Sequence, residues 1–246
     1  MERKGEVASA DGGQPRTLLL MGQSLASLIS VALEHGRFQT LRLEDGLSVR
    51  GSIDSWKPHL IVMDLDNNNR LLDGLGRGIA RGETPLLGLT RKRDTGFKLK
   101  AFESGLDDII EVPFTLDEIV VRAYALIRRA HGIVVPLVSR IKLDSMEVDL
   151  LAQRVNVDGK SLALTALQQT LLYLLAANAN EVLTREEILG TIWGSEFEIE
   201  SNVVDRHIRD LRDRLDDDWR RPRFIETVPG RGYRFLAAGP DGGRPN

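Results

Sequence analysis

SNVVDRHIRDLRDRLDDDWRRPRFIETVPGRGYRF, residues 201–235, carries the pattern from which the fold is read. Val204, Ile208, Leu211 and Leu215 recur at helical spacing and form one apolar stripe. A rotation of about 100° per residue places Asn202, Arg206, Arg209 and Asp213 on the opposite face. Asn202 is suited to cap the first turn, with Asp205 three residues on in the manner of a capping box. A helix that buries leucines and shows arginines can stand in a major groove, where guanidinium forks match the acceptor edge of guanine. The same face also reads as solvated helix surface, with Arg206–Asp210 and Arg209–Asp213 pairing at i, i+4. Residues 224–228 then read as a strand, 229–232 as a turn and 233–235 as the return strand. The two glycines of the turn allow a tight reversal and leave Arg231 at its tip, in reach of a minor groove.

The pattern V-D-x-H-I-x-x-L-R, followed by R-F-I-x-T-V-x-G-x-G-Y-R-F, resembles the winged-helix effector domain of OmpR/PhoB-type response regulators. Its first pair is read across Val203, Val204 and Asp205. The resemblance implies sequence-specific binding to double-stranded DNA. On that reading Arg206 and Arg209 address base edges with Asn202 in support. His207 and Tyr233 position on phosphates, and Arg231 enters the minor groove. The chain departs from the family at Asn202, where an arginine is usual, and at Arg206, where an apolar residue is usual. Asp210 replaces a residue that is often basic, and Pro229 replaces the common arginine of the wing. These departures bear on base preference and leave the docking mode intact.

The totals bound the rest. The chain has 246 residues, 42% of them hydrophobic, which is enough for real cores in one or two domains. A net charge of −3 means that any affinity for DNA comes from local arginine clusters and not from the overall field. The absence of cysteine excludes disulfides, thiolate catalysis and zinc–thiolate sites, and fits a cytoplasmic protein. No apolar run approaches about 18 residues, so no membrane span is expected. Four histidines scattered singly make no metal motif, and no serine–histidine–aspartate set has nucleophile spacing. No enzymatic activity is expected.

From Arg16 the pattern alternates strand and helix. Strands are expected at 17–21, 40–43, 59–64, 86–90 and 109–112, with helices at 25–34, before Pro58, at 71–80, 97–103 and 116–130. Five such units imply an α/β doubly wound, five-stranded parallel sheet, flavodoxin-like, over residues 16–130. Its functional crevice lies at the carboxyl ends of the strands. P-H-L-I-V-M-D ending at Asp64, T-P-L-L-G-L-T ending at Thr90 and G-L-D-D-x-x-x-V-P-F from Gly105 resemble a response-regulator receiver domain. Asp64 then falls at the phospho-acceptor position and Thr90 at the hydroxyl that contacts the phosphoryl group.

The resemblance breaks at the charges this chemistry requires. The family holds Mg²⁺ with an acidic pair at the end of the first strand, and here that pair is Gly22 and Gln23 (or Met21 and Gly22 one register earlier). The family lysine before Pro-Phe is Val112, and the aromatic switch position is Ile109. Asp66 offers one substitute carboxylate but is placed in an asparagine loop. No cofactor is therefore expected, the Mg²⁺ site being lost, and Asp64 reads as a leftover carboxylate, solvated or hydrogen-bonded. The alternative is a conventional regulator, phosphorylated on Asp64 by a histidine kinase.

Lys98, Asp108, Glu118, Arg122 and Arg129 match the positions at which the family's α4–β5–α5 face forms ion pairs in a homodimer, although ordinary surface charge accounts for them too. Residues 131–139 (AHGIVVPLVS runs over 130–139) are expected to be a partly docked linker, and residues 1–15 and 237–246 disordered tails. Residues 140–236 then form an α+β winged helix-turn-helix domain. Within it, strands are expected in 141–148 and 154–157, a helix capped by Thr165 and Gln168, and a second helix from Thr184 to Trp193, a core residue. In the family, the loop 194–200 can face RNA polymerase. Here it carries Glu196, Glu198 and Glu200, which suit a basic protein patch or plain solvent. Arg220, Arg221 and Arg223 are placed to meet phosphates.

Overall fold

The computed structural model describes residues 14–35, 37–43, 49–78, 83–133, 140–143, 146–149, 154–157, 159–194 and 202–236. Five short apolar segments form β1 (Arg16–Leu20), β2 (Gln39–Leu43), β3 (Leu60–Asp64), β4 (Leu86–Thr90) and β5 (Asp108–Glu111). All pair in parallel in the order β2-β1-β3-β4-β5. β3 and β4 are buried at every residue, as central parallel strands covered on both faces must be. Helices α1 (Gln23–His35) and α5 (Leu116–His131) cover one face, and α2 (Val49–Trp56), α3 (Leu65–Gly78) and α4 (Thr95–Glu103) the other. This is the doubly wound sheet expected from the alternation of strand and helix.

One boundary in this sheet domain differs by more than two residues. The helix expected over 71–80 begins six residues earlier, at Leu65, directly after β3. Asn68 has non-helical angles (φ −125°, ψ 19°) and kinks the helix, and its side-chain amide donates to the Leu20 carbonyl at 3.1 Å. The asparagines that suggest a loop in the sequence supply hydrogen bonds that hold this first turn over the end of β1.

The second half opens with a four-stranded antiparallel sheet: β6 (Arg140–Leu143), β7 (Met146–Asp149), β8 (Arg154–Val157) and β9 (Lys160–Leu162). Then come α6 (Ala166–Ala177), β10 (Val182–Thr184), α7 (Arg185–Ile192), α8 (Val203–Leu215), β11 (Ile225–Val228) and β12 (Gly232–Phe235). Thr165 with Gln168 and Thr184 with Glu187 form complete capping boxes for α6 and α7. β11 and β12 make the wing hairpin, and β12 also pairs with β10. That pairing needs glycine at 232, because a Cβ there would lie 2.0 Å from the Leu183 carbonyl oxygen.

Periodicity assigns α6 one buried face, at Leu167, Leu171, Leu174 and Leu175. The helix is in fact buried at Leu172 and Tyr173 as well, and Leu167 is only partly covered. Its extra face packs on α1, so one apolar cluster runs from the first domain into the second. The Thr170 hydroxyl donates to the Phe114 carbonyl at 2.6 Å, and the Asn178 amide reaches the Ser24 carbonyl at 3.4 Å. Linker residues 134–139, the tails 1–13 and 237–246 and the acidic segment 195–201 lie outside the described residues. Among the described residues no helix is long and apolar enough to cross a membrane.

Candidate nucleic-acid interface and receiver crevice

Helix α8 buries Val203, Val204, Ile208, Leu211 and Leu215 and exposes Arg206, Arg209, Asp210 and Asp213. Asn202 and Arg221 are exposed, as is Arg231 at the tip of the wing, next to Gly230 with its φ of 68°. The arginines singled out from sequence are therefore all accessible. Asn202 precedes α8 without capping it through its side chain.

Asp205 does something other than complete a capping box. Its carboxylate accepts from the Tyr233 hydroxyl at 2.6 Å and from Arg185 Nε at 2.8 Å, joining α8 to β12 and α7. Burial alone would raise its pKa, but these two hydrogen bonds outweigh it and hold the carboxyl below its usual 3.8. Tyr233 is pushed up to about 12, first by burial and then by its bond to Asp205. Because the folded carboxyl has the lower pKa, its stabilisation is complete above pH 3.8 and is lost as the pH falls below that value. We expect Asp205→Asn to flatten the acid limb of the unfolding curve. A limb identical to that of the wild type would remove Asp205 from this role.

Tyr233 and His207 also have partners within the chain. Strand alternation turns Tyr233 inward with Phe235 while Arg234 points out to pair with Glu226, and the Tyr233 hydroxyl donates to Asp205. His207 is half-buried, its ring stacked on Trp193 at 5.4 Å between centroids, and burial followed by the nearby Arg206 lowers its pKa. Two positioning residues carry no mark in the sequence. Arg212 donates to the Ile225 carbonyl and, at 2.9 Å, to the Thr227 hydroxyl, tying α8 to β11. Asp217, buried, accepts from the backbone N–H groups of Arg223, Phe224 and Ile225. Side-chain hydrogen bonds thus tie α8 and the turn after it to the hairpin β11–β12.

The carboxyl ends of β1, β3 and β4 form a cleft of about 350 Å³ lined by Gly22, Gln23, Asp64, Asp66 and Arg91, with α7 across its mouth. Asp64 is 2% exposed and therefore not solvated. Its Oδ1 accepts from Arg91 Nη1 at 2.6 Å and its Oδ2 from the Asn67 amide at 2.8 Å. Asp66 stands in the crevice, not in a loop, and accepts from the Thr90 hydroxyl (2.7 Å), the Arg91 backbone N–H (2.9 Å) and Arg91 Nη1 (3.2 Å). The donor set does not fit an octahedral dication. Gly22 brings no side-chain ligand, the Gln23 amide nitrogen donates to Ser27, and a guanidinium already sits against Asp64.

Comparison with known proteins places these two sites in a family. Residues 159–235 match the family described as the C-terminal domain of transcriptional regulatory proteins. The response regulator ArlR of Staphylococcus aureus is 36% identical over 214 residues, covering 86% of this chain and 94% of the relative. The chain belongs to the OmpR/PhoB-type response regulators. The regulator is also similar to the solved structure of DrrB, an OmpR/PhoB homologue from Thermotoga maritima (25% identity, 91% of this chain and 99% of that one, TM-score 0.41). A third similarity is to the Klebsiella pneumoniae RstA DNA-binding domain, solved in complex with the RstA box (28% identity, 41% and 99%, TM-score 0.37). By its family match and its curated relative, the regulator is a DNA-binding transcription regulator.

The charged residues of the α4–β5–α5 face all find partners within the chain. Lys98 pairs with Glu111, Arg122 with Asp108 (2.8 Å) and Glu118 (3.0 Å), and Arg129 with Asp107 (3.1 Å). Each is partly exposed and worth at most about 1 kcal/mol. The same face exposes Leu99, Phe102 and Val121.

Proposed function

We propose that the regulator reads a specific operator as a homodimer and does so without conventional aspartyl phosphorylation. The observation that carries the first part is the division of α8, with its leucines buried and Arg206 and Arg209 exposed, as is the wing arginine. Arg206 and Arg209 address bases, Asn202 supports them, Arg221 meets phosphate and Arg231 enters the minor groove. Two such domains reach half-sites about one helical turn apart. Replacing Arg206 by alanine is expected to remove about 1–3 kcal/mol of discrimination between operator and scrambled duplex, leaving affinity for random DNA little changed. Arg221→Ala weakens binding to every sequence alike and reduces the salt slope by about one. Competition binding at several salt concentrations separates the two, and unchanged operator preference in Arg206→Ala would remove it as a base reader.

The exposed Leu99, Phe102 and Val121, on helices that also carry exchangeable ion pairs, support a dimer through α4–β5–α5. The acidic segment 194–200 suits a basic patch on RNA polymerase. Phosphorylation independence is supported by the crevice: Gly22 and Gln23 stand after β1 in place of carboxylates, and Asp64 is enclosed by Arg91 and Asn67. Incubation with a small phosphodonor and Mg²⁺ should leave the intact mass unchanged. A stoichiometric phosphoryl adduct on Asp64 would restore the conventional reading, with a histidine kinase as partner.

A further inference from the structure

We propose that Arg91 is the resident cation of the receiver crevice and bolts the two domains together, a proposal that rests on phosphorylation independence and names the group that replaces the metal. The residue follows β4 directly, and its side chain is 5% exposed. One nitrogen of the guanidinium, Nη1, lies against Asp64 Oδ1 at 2.6 Å and Asp66 Oδ2 at 3.2 Å. Its Nε points the other way and donates to the Thr191 carbonyl at 2.8 Å, across to the second domain.

Thr191 stands in the last turn of α7, where carbonyls lack an intrahelical partner and the helix dipole presents its negative end. The guanidinium therefore joins two negative surfaces that would otherwise repel, the carboxylates of the crevice and the carboxyl end of α7. A fixed fork of donors suits this better than an ammonium, since one edge serves each domain. The backbone of the second domain approaches the aliphatic stem closely, a Cβ built on Gly194 lying 3.4 Å from Arg91 Cδ. Beyond Arg91, the domains are also joined by the apolar packing of α1 on α6 and the hydrogen bonds of Thr170 and Asn178.

The closed arrangement leaves Arg206, Arg209 and Arg231 exposed. The bolt consequently does not mask the DNA-reading surface. It fixes the orientation of the recognition helix relative to the receiver, and hence relative to a partner copy. In a protein whose acceptor site held a metal ion this geometry would depend on ligand; here the chain carries its own cation.

Backbone hydrogen exchange on the full chain tests this. Arg91→Ala is expected to raise exchange of the α7 and α6 amides at the domain contact by at least about tenfold more than any rise in β3 and β4. Arg91→Gln, which keeps donors without the charge, provides the check should the alanine variant not fold, with the same amides loosened to a smaller degree. Millimolar Mn²⁺ is expected to leave the wild-type pattern unchanged. Unchanged exchange in the variants, or saturable Mn²⁺ binding to the wild type, overturns the proposal. A phosphoryl adduct on Asp64 would instead overturn phosphorylation independence, so the two failures are told apart.

Discussion

Replacing Asp64 by alanine is expected to destabilise the receiver domain by about 3–5 kcal/mol, with no phosphodonor present. A conventional acceptor aspartate, poised at an open strand end, would lose only its reactivity, and its replacement would change stability within about 0.5 kcal/mol. Here the carboxylate is buried and accepts from Arg91, Asn67 and the Asp66 backbone N–H. Its loss leaves the enclosed guanidinium with Asp66 as its remaining carboxylate partner and strands the Asn67 amide. The double variant Asp64→Ala/Arg91→Met should be destabilised by less than the sum of its two single changes. Removing both charges leaves Asp66 without its ion-pair partner but still hydrogen-bonded to the Thr90 hydroxyl and the residue-91 backbone N–H, and couplings between such neighbours run to about 0.5–3 kcal/mol. Urea unfolding measured on the wild type and the three variants decides the matter. Additive losses, or a harmless Asp64→Ala, would mean that the pair contributes nothing beyond its parts.

Why the crevice is only half legible in the sequence follows from where its information lies. Asp64 and Thr90 end apolar strands, and strand ends are marked by the change from apolar to polar residues. Arg91 stands one residue past that mark, in a run of three basic residues that reads as solvated surface. Its partners Asp66 and Thr191 are 25 and 100 positions away, and no local period encodes such a meeting. Asp66 reads as a loop residue because asparagines favour turns, yet the Asn67 and Asn68 amides use that preference to hold a helical turn in place.

The contact between domains does leave a sign in the sequence. ALQQTLLYLLAA is apolar on nearly every side, and a helix of that kind is covered on two faces. Tyr233 is legible in the same way, since Phe235 inward and Arg234 outward fix its side of the strand. The recognition helix is legible throughout because its signals are local. Its stripe, its exposed arginines and the glycine-bounded wing lie within some 30 consecutive residues, and each agrees with the others.

That stripe yields the other large effect. Leu211→Ala is expected to cost the winged-helix domain about 2–5 kcal/mol, since Leu211 is fully buried in the cluster that holds Val204, Ile208 and Leu215, where α8 meets α6 and α7. A domain of this size has about 5–15 kcal/mol in all, so the variant retains a fold but melts lower, by roughly 4–8 °C for each kcal/mol. Operator binding should fall with the folded fraction and recover on cooling toward the temperature of maximum stability. Arg206→Ala, more than a turn away on the exposed face, is expected to do the reverse, keeping the melting temperature and losing the preference for operator. The contrast matters more than either number, because it separates the side of α8 that builds the domain from the side that reads DNA. If Leu211→Ala melts with the wild type, or Arg206→Ala melts with Leu211→Ala, the helix is oriented differently from the way this structure places it.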